Sequence, residues 1–423
     1  MYRTTLLVLL AALCPASALA AAERPPHFDA LPPELPWEGK SLDLALPAGH
    51  EWATPFEAGG LVDSPSYDET VAWLRRLVDA SDALEMVSLG TSPEGREIWM
   101  VVASSSLPGA DAATPEALRA LLRAHRKPTL LAHSGIHSGE IDGKDAGMML
   151  LRDMTVLGTK AELLQGADFL FVPILSVDAH ERRSPYGRIN QRGPLHTGWR
   201  TTSRNLNLNR DYTKLDTLEM RHLIEALDAW APDLYLDLHV TDGADYQYDI
   251  TFGWNRPPAA WSPALGGWLD RVYRPAVSEA LRGMGHIPGN LVFTVDDHDW
   301  TRGVARFTAE PRYSTGYGDA RHLATVLVEN HSLKPYDQRV LGTYVLLEES
   351  LRLLVREGAA LREATAEDRA RRLDPVPLDW RMAEGAAPPR EEFLGVGQRV
   401  ELSPVSGGLR PVWTGELRTA EVP

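Results

Sequence analysis

His137 and Glu140 stand in the segment LLAHSGIHSGE, His239 closes LYLDLH, and Glu329 falls near the end of TVLVEN. Two histidines and one glutamate are a common ligand set for a catalytic zinc, leaving a fourth position open for water. Such a zinc brings the pKa of its bound water towards about 7 and polarises a carbonyl. Glu329, outside the ligand set, would accept the water's proton and pass it to a leaving amine. One Zn2+ per chain is therefore expected on His137, Glu140 and His239. A His-x-x-Glu pair alone is a weak signal. Its glycine-flanked setting after a strand, with a strand-terminal His and a strand-terminal Glu further on, makes coincidence hard to sustain.

These residues need elements to bring them together. Tyr67–Ala80 carries Val71, Leu74, Leu77 and Val78 at helical spacing. Leu84–Leu89 and Glu97–Ser104 read as a hairpin-like pair of strands across GTSPEG. Short apolar runs then alternate with helical ones: strands at 129–132, 169–175, 234–240 and 325–328, helices at 142–157, 218–230, 263–284 and 340–356. This alternation predicts an α/β fold, a mainly parallel mixed central sheet with helices on both faces. The unbroken apolar runs FLFVPIL and TVLV suit strands covered on both sides. In such a sheet ligands bind beyond the carboxyl ends of the strands, where all four residues fall.

The chain ends and composition bound the rest. Arg3, the apolar run Leu6–Leu13 and Ala18-Leu19-Ala20 form an export signal over 1–20 with a small-x-small cleavage site. The expected location is secreted or periplasmic, without a membrane span. The Leu13 before Cys14 is larger than a lipoprotein site wants. Cys14 is the one cysteine, so a metal must be held by His and carboxylates. A formal charge of −15 argues against a nucleic-acid partner, and no obligate protein partner is evident. Residues 21–60, rich in Pro, Gly and Ala, read as an extended lead-in, 61–357 as the catalytic domain, and 358–423 as a linker and small β-rich C-terminal appendage.

The segments GTSPEGREI (90–98), HSGE (137–140), NLNRDY (207–212), DLH (237–239) and VEN (328–330) make the chain resemble the zinc carboxypeptidase family of pancreatic type over roughly residues 60–355, its exported bacterial members most of all. The resemblance implies a metallocarboxypeptidase with His137, Glu140 and His239 as zinc ligands and Glu329 as general base. It implies that Asn209 and Arg210 hold the substrate's terminal carboxylate, a role that suits a planar bidentate guanidinium. It implies that Arg192 stabilises the oxyanion, with Arg188 and Arg200 as neighbouring alternatives. The chain departs from the family at the tyrosine that closes over the substrate: Tyr317 is taken for it, with Tyr313 the alternative. The implied partner is a peptide with a free C-terminus, and peptidoglycan stem peptides fit the compartment.

Other readings stand beside these. His133 reads as structural, His322 and His331 as local hydrogen-bonders, and Asp296-Asp297-His298-Asp299 as a solvated loop. Asp237 shares a strand face with His239 and could orient its ring, or pair with a helix. A zinc deacylase acting on small acylated amino acids would use the same metal site. A non-catalytic binding module descended from a peptidase would more readily have lost Glu329 or a ligand.

Overall fold

The computed structural model describes residues 26–107, 114–256, 260–306, 308–372, 374, 376, 378 and 388–423. The export signal with Arg3 and Cys14 lies outside these residues.

Twelve strands occur among them: β1 (Leu84–Thr91), β2 (Glu97–Ala103), β3 (Thr129–Ser134), β4 (Asp168–Val172), β5 (Leu234–Val240), β6 (Ile250–Gly253), β7 (Pro288–Asn290), β8 (Phe293–Thr294), β9 (Val304–Ala305), β10 (Ala324–Asn330), β11 (Glu391–Leu402) and β12 (Leu409–Val422). Eight form one mixed sheet in the order β1-β2-β4-β3-β5-β10-β6-β7. The centre, β4-β3-β5-β10, is parallel, while β1, β2 and β6 join antiparallel. Every residue of β3, β4 and β5 is buried, as their continuous apolar character requires.

Helix Asp142–Met154 is buried along its whole length and packs with the long helix Tyr336–Ala370 against the central strands. Tyr67–Asp79 and Leu218–Trp230 lie against β1. The first of these begins in a capping box, Ser66 with Glu69, and buries Trp73, Leu74 and Leu77.

Two regions differ from the sequence reading. The lead-in is not simply extended: Pro26–Ala30, Lys40–Leu44 and Pro55–Ala58 form short helical turns. Trp37 Nε1 anchors this segment on the carbonyl of Gly285 at 2.9 Å. The last helix does not stop near 356 but continues to Ala370. Buried Leu361 and the pairing of Arg362 with Asp233 at 2.7 Å hold its charged C-terminal part to the body.

β11 and β12 form a hairpin that packs on the main body through a small cluster of Tyr248, Trp300, Phe393 and Val422. The Nε1–H of Trp300 donates to the carbonyl of Val396 at 2.9 Å. A Cβ on Gly395 would lie 2.3 Å from the Trp300 ring. Gly395→Ala is therefore expected to destabilise the protein by about 1–3 kcal/mol through overpacking, as a lowered midpoint in denaturant titration would show.

Candidate metal centre

Chain geometry brings the sequence-distant residues together at one sheet edge. Parallel pairing aligns Glu329 of β10 with His239 of β5, and antiparallel pairing aligns Glu329 with Thr251 of β6. With side chains alternating along each strand, Asp237, His239, Leu327, Glu329, Thr251 and Gly253 share one face. After β3 the chain turns at Gly135, where φ is +69°, and carries His137 and Glu140 over the ends of these strands. A tight turn, Glu140 N to His137 O at 2.9 Å, points both side chains the same way. Gly139 lets Arg188 pass, since a Cβ there would meet the Arg188 side chain at 2.3 Å.

His137, Glu140 and His239 are buried, with their ligand atoms within 4.8 Å of one another. Among the described residues no other group of three metal-type side chains converges in this way, Asp296–Asp299 included. Glu140 Oε1 lies 3.0 Å from His137 Nδ1, and Oε2 lies 2.8 Å from His239 Nδ1.

The outer nitrogens have neighbours of their own. His137 Nε2 is 2.9 Å from Asn207 Oδ1. That oxygen also accepts the backbone N–H of Asn209, so the imidazole must be the donor. Asp237 Oδ1 lies 3.0 Å from Nε2 of His239, in ion-pair range without a hydrogen bond. Asn209 Nδ2 is 3.5 Å from the same nitrogen. Each Nδ1 faces the Glu140 carboxylate, where a ring proton or a bound cation satisfies both partners. Three metal-type ligand groups therefore face one point, an arrangement a cation can occupy. The residues fit a zinc ion, with an outer oxygen beside each ring.

Burial disfavours the Glu140 carboxylate, but His137, Arg188 and His239 outweigh it and hold its carboxyl well below the usual range. Burial pushes the Glu329 carboxyl up to about 8; His239 opposes the rise, while Glu140, Asp242 and Asp237 add to it. Glu329 Oε2 is buried and has no hydrogen-bond partner among the described residues. A dication at the triad would favour the charged form of Glu329.

The centre opens into a cavity of about 830 Å³. His137, Glu140, His239, Glu329, Asn209 and Arg210 all line it, and Arg192 and Tyr317 do not. Arg192 is held elsewhere: Nε donates to the carbonyl of Leu333 at 2.9 Å and Nη2 to that of Pro32 at 2.6 Å. Arg200 lines the cavity and reaches Glu140 Oε1 at 3.1 Å, beside the buried Arg188 at 2.8 Å. Arg188 is further engaged with Gln191 and the carbonyl of Thr241. Tyr317 is buried on helix Ser314–Ala320 against Tyr212, whereas Tyr313, just before that helix, faces the cavity under the Arg210 guanidinium at 4.6 Å.

His133 sits under the site, 3.0 Å from Asp237 Oδ1 and stacked on Tyr235. His322 bonds Ser262 and His331 bonds Thr251. Sequence reasoning missed Asn207, whose one visible signal was its place in NLN two residues before Asn209. It also missed the roof: Phe393, Pro411 and Trp413 of the C-terminal hairpin line the same cavity.

Residues 70–255 match the family model for zinc carboxypeptidase. The match spans both metal-binding segments and NLNRDY but stops short of Glu329. No curated protein matches the chain. Among solved structures, the chain is similar to carboxypeptidase A from Helicoverpa armigera (18% identity, 71% of this chain and 74% of that one, TM-score 0.49). It is also similar to a metallo-carboxypeptidase from Burkholderia cenocepacia (16%, 70% and 70%, 0.49). A third is the metallo-carboxypeptidase from Pseudomonas aeruginosa in complex with (2-guanidinoethylmercapto)succinic acid (16%, 68% and 69%, 0.48). With TM-scores below 0.5, these likenesses decide nothing about the reaction.

Proposed function

We propose, from a chain whose residues 70–255 are those of the zinc carboxypeptidase family, that this protein is an exported metallocarboxypeptidase that hydrolyses the C-terminal peptide bond of its substrate. The observation that carries the reading is the convergence of His137, Glu140 and His239 beside the carboxyl of Glu329, unpartnered at Oε2 among the described residues, inside one cavity.

A zinc ion on His137, Glu140 and His239 would supply Lewis-acid polarisation of the scissile carbonyl and acidify a water. Asn207 bonds the outer nitrogen of His137, and Asp237 sits beside that of His239. Glu329, one strand over from His239, takes a proton from the attacking water and returns it to the departing amine. Burial of its carboxyl, with no competing donor on Oε2 among the described residues, keeps it available for that transfer.

The terminal carboxylate is bound by Arg210, whose guanidinium Tyr313 supports from below, with Asn209 beside it. Arg200 takes the oxyanion role in place of Arg192, because it lines the cavity next to the metal ligands while Arg192 is tied to two backbone carbonyls. Tyr313 takes the place of Tyr317 as the covering ring. The export signal puts peptidoglycan-derived peptides within reach.

The test is hydrolysis of benzoyl-blocked dipeptides against N-acetyl amino acids by the zinc-supplemented protein. Release of the C-terminal residue from the dipeptides supports a carboxypeptidase. Cleavage confined to acetyl amino acids would replace it with a deacylase.

A further inference from the structure

Three arginines collect in the same cavity from three separate segments: Arg256 just after β6, Arg274 from helix Arg274–Gly283, and Arg306 just after β9. None belongs to the metal centre or to the terminal-carboxylate pair. Arg274 lies over the Trp254 ring, its guanidinium carbon 4.2 Å from the ring centre, and Arg256 lies 5.6 Å from the same centre. Trp254 thus has two guanidiniums over its ring, each in a cation–π contact.

Charge in this corner does not balance. Asp270 serves both Arg256, at 3.0 Å, and Arg274, at 3.7 Å. Glu391 of the hairpin serves Arg306. Among the described residues, three cations meet two carboxylates. Arg274 Nε is buried and without a hydrogen-bond partner among them, and Arg274 and Arg256 each reach the single amide oxygen of Asn290. Burial and the neighbouring Arg256 push the Arg274 guanidinium down to about 9. Such crowding of like charges is relieved by an anion held between them.

The cavity floor leads there from the metal centre. Leu327 and Gly253 are cross-strand partners one step along the strands from Glu329 and Thr251, and both line the cavity. A residue whose terminal carboxylate is held at Arg210 has space for its side chain along this floor.

We infer that Arg256, Arg274 and Arg306 form a subsite for a carboxylate side chain, so that the enzyme removes C-terminal glutamate or aspartate in preference to apolar or basic residues. This rests on the carboxypeptidase reading above. The subsite is built for a planar two-oxygen anion: paired guanidinium forks match a carboxylate, and an apolar side chain entering there would leave the forks desolvated and unpaired.

Benzoyl-Gly-Glu, benzoyl-Gly-Leu and benzoyl-Gly-Lys are compared as substrates of the full, zinc-supplemented chain, for the wild type and for Arg274→Met and Arg256→Met. Benzoyl-Gly-Glu is expected to lead in kcat/KM. Each variant should lose about 10- to 100-fold on it, the worth of one hydrogen bond to a charged group, with little change on benzoyl-Gly-Leu. Equal or better turnover of the Leu or Lys substrate by wild type overturns the inference while leaving the carboxypeptidase reading intact. An equal loss on all three substrates also overturns it, because the arginines would then be holding the terminal carboxylate or the fold. Should no peptide be cleaved, calorimetric binding of L-glutamate against L-leucine to the same protein decides. Selective glutamate binding abolished by Arg274→Met sustains the subsite and rejects only the peptidase reading, and equal binding rejects the subsite.

Discussion

Glu329→Gln is expected to lower kcat by about 10²- to 10⁴-fold, the usual worth of a positioned proton-transfer group, while leaving the bound metal untouched. Glu329 lies outside the group of three ligand-type residues, on the neighbouring strand in register with His239. Gln keeps its size and an oxygen but cannot carry the proton. KM for a blocked dipeptide should change little, since the residues proposed to bind the terminal carboxylate, Arg210 and Asn209, lie on another segment. A variant that bound a full equivalent of zinc and turned over at the wild-type rate would remove Glu329 from the reaction.

Glu140→Ala should cost both activity and stability. Glu140 accepts from Arg188, Arg200 and the Val240 N–H, and it contacts both imidazoles. Deleting it leaves the buried Arg188 without its main carboxylate, a loss of about 3–5 kcal/mol for one half of a buried pair. It would also leave a zinc bound there with only two imidazoles. The expected result is loss of detectable hydrolysis together with a clear fall in the denaturation midpoint. Glu140→Gln, which keeps the shape and one acceptor oxygen, should recover part of the stability but little of the activity. An alanine variant as stable as wild type would show that Arg188 is satisfied by Gln191, Asp242 and the carbonyls alone.

Much of this was legible in the sequence because it depends on strands. LYLDLH and TVLVEN are buried strands ending in a ligand-type residue, and the carboxyl edge of a parallel sheet brings such ends together without any knowledge of the loops. The period of two likewise put Asp237 on the face of His239, where its carboxylate sits against the ring.

The arginine and tyrosine assignments were harder. Residues 182–210 hold Arg182, Arg183, Arg188, Arg192, Arg200, Arg204 and Arg210 in a loop with little regular structure, so spacing says nothing of which one turns inward. Backbone carbonyls far away in sequence, those of Pro32 and Leu333, decide that Arg192 turns away. Tyr317 and Tyr313 are one helical turn apart, and the packing of Tyr317 on Tyr212 determines which of them is buried. The hairpin roof and the three-arginine corner come from segments with no local pattern in common.

The most direct measurement is metal content by mass spectrometry of the purified protein dialysed against zinc, in wild type and in His239→Ala. One zinc per wild-type chain, falling to near zero in His239→Ala while circular dichroism shows the fold intact, is the predicted result. A wild-type chain that takes up no zinc, or a His239→Ala chain that keeps a full equivalent, would contradict the metal centre on which the rest depends.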